Sequence, residues 1–141
     1  MRDPLYYRDD APVTAPVLAL ADFIASSNTA AVRLEPADDP RALMLHLDRL
    51  ALVEIAFPSF RDGRGYSHAR VLREAGYAGE LRAAGDVLVD QLLVLRRCGF
   101  DSFAPNAAID AAAAERALSR YAHVYQAAAD GATPVWKLRH G

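Results

Sequence analysis

Cysteine is almost absent, with Cys98 the only one in 141 residues. A single thiol excludes a disulfide framework, a four-cysteine zinc site and an iron–sulfur cluster held within one chain. Charge excess of either sign is missing too, since 16 Lys and Arg stand against 18 Asp and Glu for a formal net charge of −2. That balance provides no global field to hold a nucleic-acid backbone or an anionic membrane, so any basic site must be local. No stretch reaches the roughly 18 uninterrupted apolar residues of a membrane span. Met1-Arg2-Asp3-Pro4 places Asp and Pro where a secretory leader needs a basic start and an apolar run. The expectation is a cytoplasmic protein that neither spans nor binds a membrane. His46, His68, His123 and His140 show no H-x-x-x-H or H-E-x-x-H pairing, so no metal is expected. Walker A, G-x-G-x-x-G and G-x-S-x-G motifs are also missing, so no cofactor or nucleotide is indicated.

What is present suffices for a folded domain: 52% apolar and 24% charged residues, with mean hydropathy near zero. The length fits one domain over residues 1–141. Pro4, Pro12 and Pro16 with Arg8-Asp9-Asp10 make residues 1–16 an arm crossing the surface, with Tyr6 and Tyr7 to pin it. Val17–Ala25 is too short to assign by periodicity and leans to a short helix. From there Pro and Gly punctuate the chain regularly. Strands are expected over Thr29–Leu34, Ala51–Phe57, Glu80–Ala84 and Asp101–Ala104. Between them lie helices over residues 40–50, opened by Asp39-Pro40, from Ser67 to Gly76, and from Asp86 to Gly99. A fourth helix runs from Asn106 to Gly131, with Ile109, Ala113, Ala117, Leu118, Tyr121, Val124 and Tyr125 as its seam, and an irregular tail follows over residues 132–141. This alternation predicts an α/β fold: a four-stranded, mostly parallel sheet with flanking helices, either half-barrel-like or a small open sheet. In both, ligands gather at the C-terminal edge of the strands.

The loop after the second of these strands, Pro58-Ser59-Phe60-Arg61-Asp62-Gly63-Arg64-Gly65-Tyr66-Ser67-His68-Ala69-Arg70, lies at that edge. Glycines that free the backbone, guanidiniums and a helix N-terminus are the parts of an anion site, and Arg suits bidentate recognition of an oxyanion. Arg61, Asp62, Gly63, Arg64, Gly65, Tyr66, Ser67 and Arg70 are therefore candidate anion or partner contacts. The plainer reading has Asp62 pairing with Arg61 or Arg64 while Ser67 caps the helix. Glu80 and Arg82 are two apart on one strand and share a face, with Glu54 on the preceding strand able to meet them. They form either a ligand-holding or proton-moving cluster or an internal ion pair that sets register. Asp86 reads as an N-cap, and Asp90 and Gln91 as a polar face turned toward the loop. His68 reads as a solvated residue of the first helical turn, and Cys98 as a packed small side chain.

The run Phe57–Arg70, continued by Leu72-Arg73, Gly76-Tyr77, Gly79-Glu80-Leu81-Arg82-Ala83, Gly85-Asp86-Val87-Leu88, Asp90-Gln91 and Arg97-Cys98-Gly99-Phe100-Asp101-Ser102-Phe103, resembles a bacterial family known as domain of unknown function 934. The likeness covers about residues 15–126. His68 stands where many relatives carry Gln, and the Arg-Glu-Ala-Gly run is one residue short of many relatives. Members are often labelled oxidoreductases of sulfite reduction, because their genes lie beside that of sulfite reductase. The residues supply no redox carrier. What the resemblance implies is an accessory protein of assimilatory sulfite reduction, binding the reductase or a small anion (sulfite, sulfate or phosphate). Arg61, Arg64 and Arg70 would make the contacts, with Arg82, Glu80 and Asp86 behind them. The alternative is a small enzyme acting on an anionic metabolite, with Arg64 and Arg82 as clamps and Glu54, Glu80 or Asp90 moving a proton. Exposed sheet edges suggest a homodimer.

Overall fold

A computed structural model describes residues 5–26 and 29–124, the last five by their backbone alone. The expected tail at 132–141 and the end of the last helix lie outside the described residues. Two-residue strands β1 (Leu5–Tyr6) and β2 (Leu18–Ala19) precede helix α1 (Leu20–Ala25) and strand β3 (Ala31–Leu34). A 3₁₀ segment, Pro40–Arg49, leads to β4 (Leu52–Phe57), α2 (Arg64–Glu74) and β5 (Glu80–Gly85). A 3₁₀ turn, Val89–Gln91, then α3 (Leu92–Cys98), β6 (Ser102–Pro105) and α4 (Ala111–Val124) follow to the end of the described residues.

All six strands form one sheet in the order β1-β6-β5-β4-β3-β2. Strands β2 to β6 lie side by side in chain order and run parallel, and β1 closes one edge antiparallel to β6. Among the described residues the count is six rather than the four expected. Both additional strands are two residues long and sit in or beside the proline-bearing arm, too short for an alternating pattern to register. Val17–Ala25 is accordingly split between β2 and α1.

One face of the sheet carries the core. Val32 and Leu34, Val53, Ile55 and Phe57, Leu81 and Ala83, and Phe103 pack there with Phe23, Leu43, Ala69, Leu72, Leu92, Leu95 and Ala114 from the helical elements. β4 reads almost continuously apolar although only alternate residues meet helices, because Leu52 and Ala56 flank Glu54 on the other face. The 40–49 segment is 3₁₀ rather than α: Pro40 and Leu43 are buried, Met44 and Leu47 pack against the core, and His46 and Arg49 lie against the Phe23 ring. Leu45 is 95% exposed.

Two expected caps are also reassigned. Helix α2 starts at Arg64, three residues before Ser67, because the Asp62 carboxylate accepts the Arg64 N–H at 3.0 Å and satisfies its first turn. Asp86 caps no helix: its carboxylate accepts the Phe60 N–H at 2.9 Å, and α3 begins only after the 3₁₀ turn.

Candidate functional site

The opposite face of the sheet is polar. Register aligns Arg33, Glu54, Arg82, Ser102 and Tyr6 in one row across β3, β4, β5, β6 and β1. Glu54 takes Arg33 on one oxygen (Nε to Oε1, 2.8 Å) and Arg82 on the other (Nη1 to Oε2, 3.4 Å). Arg82 also reaches Glu80 at 3.2 Å, and the Ser102 hydroxyl donates to the same Glu80 oxygen at 2.6 Å. The arm lies over the lower end of this face, where the Val13 N–H donates to Glu80 Oε1 at 3.3 Å. Strand alternation thus brings Glu54, Glu80 and Arg82 together. The buried Arg82 Nε has no partner among the described residues. Glu54 and Arg82 each face two opposite charges, and Glu80 has Arg82 together with the Ser102 hydroxyl and the Val13 N–H, which offsets the cost of taking them out of water.

One step toward the C-terminal ends of the strands, the row changes character. Ala56, Ala84 and Ala104 stand beside one another on β4, β5 and β6, and three methyl groups leave room for a cleft of about 410 Å³. Arg33, Glu35 and Glu54 form one wall, and Pro58, Gly85 and Asn106 lie at the rim. Gly85 is required there: its φ is +112°, and a Cβ would come within 2.5 Å of the Phe57 carbonyl oxygen. The Gly85 carbonyl accepts both the Val87 and the Asn106 N–H, tying the loops after β5 and β6 together.

The arginine-rich loop is elsewhere. No residue of 59–70 lines the cleft. Arg64 folds back on Asp62 through Nε at 3.1 Å and Nη2 at 2.7 Å, and these hydrogen bonds hold the Asp62 carboxyl down at about 2. Arg61 stacks over the Phe60 ring at 5.5 Å, and Arg70 is exposed on α2. Gln91 fixes the loop by donating to the Phe60 carbonyl at 2.9 Å and the Tyr66 hydroxyl at 3.1 Å. Asp90 is exposed. Gly63 has φ −85° and open space around it, so its backbone is open to any residue. Gly65 instead lets α2 sit tightly on the sheet, where a Cβ would meet the Phe57 ring at 2.5 Å. His68 is buried rather than solvated, with Nε2 3.2 Å from the Glu35 carbonyl, because α2 presents it toward the loop after β3.

Residues 31–136 match a family described as bacterial proteins of unknown function, DUF934. The chain belongs to that family. No curated protein and no solved structure matches this DUF934 chain. Among its described residues, no three His, Cys, Asp or Glu side chains gather as a metal site, and no helix is long and apolar enough to cross a membrane. Arg33 and Glu35 of the cleft wall were not singled out from sequence. Their one signal is that Arg33 is the polar member of an otherwise apolar strand. Asp101 was also missed: it is buried, takes Arg8 at 2.7 Å and Arg73 at 3.0 Å, and accepts the Leu81 N–H at 2.9 Å. It sits at the start of β6, far along the strands from the cleft, and its work is structural.

Proposed function

We propose that this DUF934 chain is a cytoplasmic accessory protein of assimilatory sulfite reduction that docks on the reductase, or takes a small oxysulfur anion, through the β4–α2 loop. The observation that carries the reading is Phe60, whose side chain stands exposed under the Arg61 guanidinium while its backbone is held by Asp86 and Gln91. A fixed, exposed aromatic ring beside guanidiniums resembles the anchors that dominate protein interfaces. Leu88, exposed on the adjoining loop, extends the apolar patch. The family resemblance supports the choice of partner, and the geometry at Phe60 supports the choice of face. Titration of purified sulfite reductase against the immobilised chain tests it, with Phe60→Ala and Arg64→Ala alongside. Saturable binding weakened about ten-fold or more by Phe60→Ala supports the reading. Binding that ignores both substitutions, or no binding, overturns it. Sulfite titration followed by amide NMR at Arg61–Arg64 tests the anion half.

The cleft favours a second reading, a small enzyme for an anionic metabolite with Arg33 in the clamping role foreseen for Arg64 and with Glu54 as the carboxylate. Self-association through the short edge strands β1 and β2 would cover their unpaired backbone groups, and light scattering that returns the monomer mass overturns the dimer.

A further inference from the structure

The cleft above the polar row has a charge pattern that narrows its ligand. Among the described residues, three charged ones line it: Arg33, Glu35 and Glu54. Glu54 is consumed, with Arg33 on one oxygen and Arg82 on the other. The Glu35 carboxylate is exposed and has no partner among the described residues. Arg33 uses Nε and Nη2 on Glu54, and its side chain is still 47% exposed, so its remaining Nη1 donors point away from that pair. The cleft therefore offers one open guanidinium edge and one open carboxylate on the same wall, above a floor of three alanine methyls.

We propose that this cleft binds a small zwitterion of the α-amino-acid type, its carboxylate on Arg33, its ammonium on Glu35 and its side chain over Ala56, Ala84 and Ala104. A ligand with a carboxylate alone meets the unpaired Glu35 and the nearby Glu54. A ligand with an amine alone meets Arg33. Only a molecule carrying both signs side by side leaves neither wall charge facing its like, and such discrimination works through what it repels as much as what it attracts. The volume of about 410 Å³ lies within the range of small-metabolite sites, and the alanine floor suits an uncharged body. The inference rests on the cleft and not on the docking face, so a failed reductase titration leaves it standing.

The test is amide NMR of the full chain titrated with L-leucine and with two molecules of the same apolar body, 3-methylbutylamine and 4-methylpentanoate, L-serine and L-glutamine being added as further amino acids. The expected result is saturable shifts at Gly85 and Asn106 with at least one amino acid, and about ten-fold weaker binding or worse for each single-charge analogue. Glu35→Gln is expected to weaken the amino acid about ten-fold while leaving 4-methylpentanoate no weaker, a split that a merely unfolded variant would not produce. Ala84→Leu, which fills the floor without touching a charge, is expected to abolish the shifts. Equal binding of 4-methylpentanoate and L-leucine overturns the proposal in favour of a plain anion site, and no saturable shift with any of the three amino acids overturns it outright.

Discussion

Asp101→Ala should be among the most damaging single substitutions in this chain, although the residue lies far from any proposed ligand. Its carboxylate is buried and accepts three donors: Arg8 Nη1 at 2.7 Å, Arg73 Nη2 at 3.0 Å and the Leu81 N–H at 2.9 Å. Removing one partner of a buried ion pair costs about 3–5 kcal/mol, because the other charge is left uncompensated. Arg73 is less stranded than that. It keeps its hydrogen bonds to the Gly99, Tyr77 and Gly79 carbonyls, while burial already lowers its pKa against the pull of Asp101. Arg8 is more open to water and keeps Asp10. The orphaned Leu81 N–H adds about 1–3 kcal/mol. The lower end of the range, about 3 kcal/mol, is therefore expected for Asp101→Ala. Asp101→Asn, which retains an oxygen for Leu81 but not the charge, should lose roughly half of it. In urea unfolding followed by circular dichroism, about 3 kcal/mol lowers the midpoint by roughly 1–3 M. Arg64→Ala is the control, since the Arg64 side chain is 61% exposed and its pair with Asp62 is screened. An Asp101→Ala midpoint matching that of Arg64→Ala would refute the reasoning.

Gly85→Ala should destabilise by roughly 2–4 kcal/mol, adding a left-handed backbone penalty to a clash with the Phe57 carbonyl, whereas Gly63→Ala should leave the urea midpoint unchanged. Equal midpoints for the two would contradict the geometry. Tyr77 carries an alkaline limit. Burial pushes its phenol well above the ordinary value, and its hydroxyl donates to the Glu80 carbonyl at 3.2 Å. A raised native pKa stabilises fully below the unfolded value of about 10 and is lost as pH climbs toward the native one, because the unfolded chain ionises first. Tyr77→Phe should cost about 1 kcal/mol at neutral pH and flatten the fall in stability above about pH 10. Parallel stability–pH curves for the two proteins would sink this. Leu45→Gln, at an exposed position of the 3₁₀ segment, should change stability by less than about 0.5 kcal/mol.

How much of this was legible depends on whether a feature is local along the chain or arises across the sheet. Proline and glycine punctuation locates β4, α2, β5 and β6 to within a few residues and fixes the end of α3, whose start lies six residues later than expected, and alternation alone puts Glu80 and Arg82 on one face with Glu54 in reach. Cap assignments failed at Ser67 and Asp86 because each has a competing use for its neighbours: Asp62 already serves the start of α2, and Asp86 is drawn to the Phe60 N–H across a gap of 26 residues. Arg33 could not be singled out, because its meaning comes from register. Only the pairing of Arg33 with Glu54, and of Glu54 with Arg82, makes a charged row of it. The same dependence corrects the picture of one composite site. Gly65 seats the start of α2 on Ile55 and Phe57, on the helix-covered side, whereas the cleft opens on the side of Ala56 and Ala84. The arginines that follow β4 therefore cannot clamp a ligand that rests on its alanine floor. Docking through Phe60 and binding above Ala84 are separable by construction. Phe60→Ala should leave amino-acid shifts at Gly85 intact, Ala84→Leu should leave reductase binding intact, and loss of both functions in either variant would mean that the sheet does not keep its two faces apart.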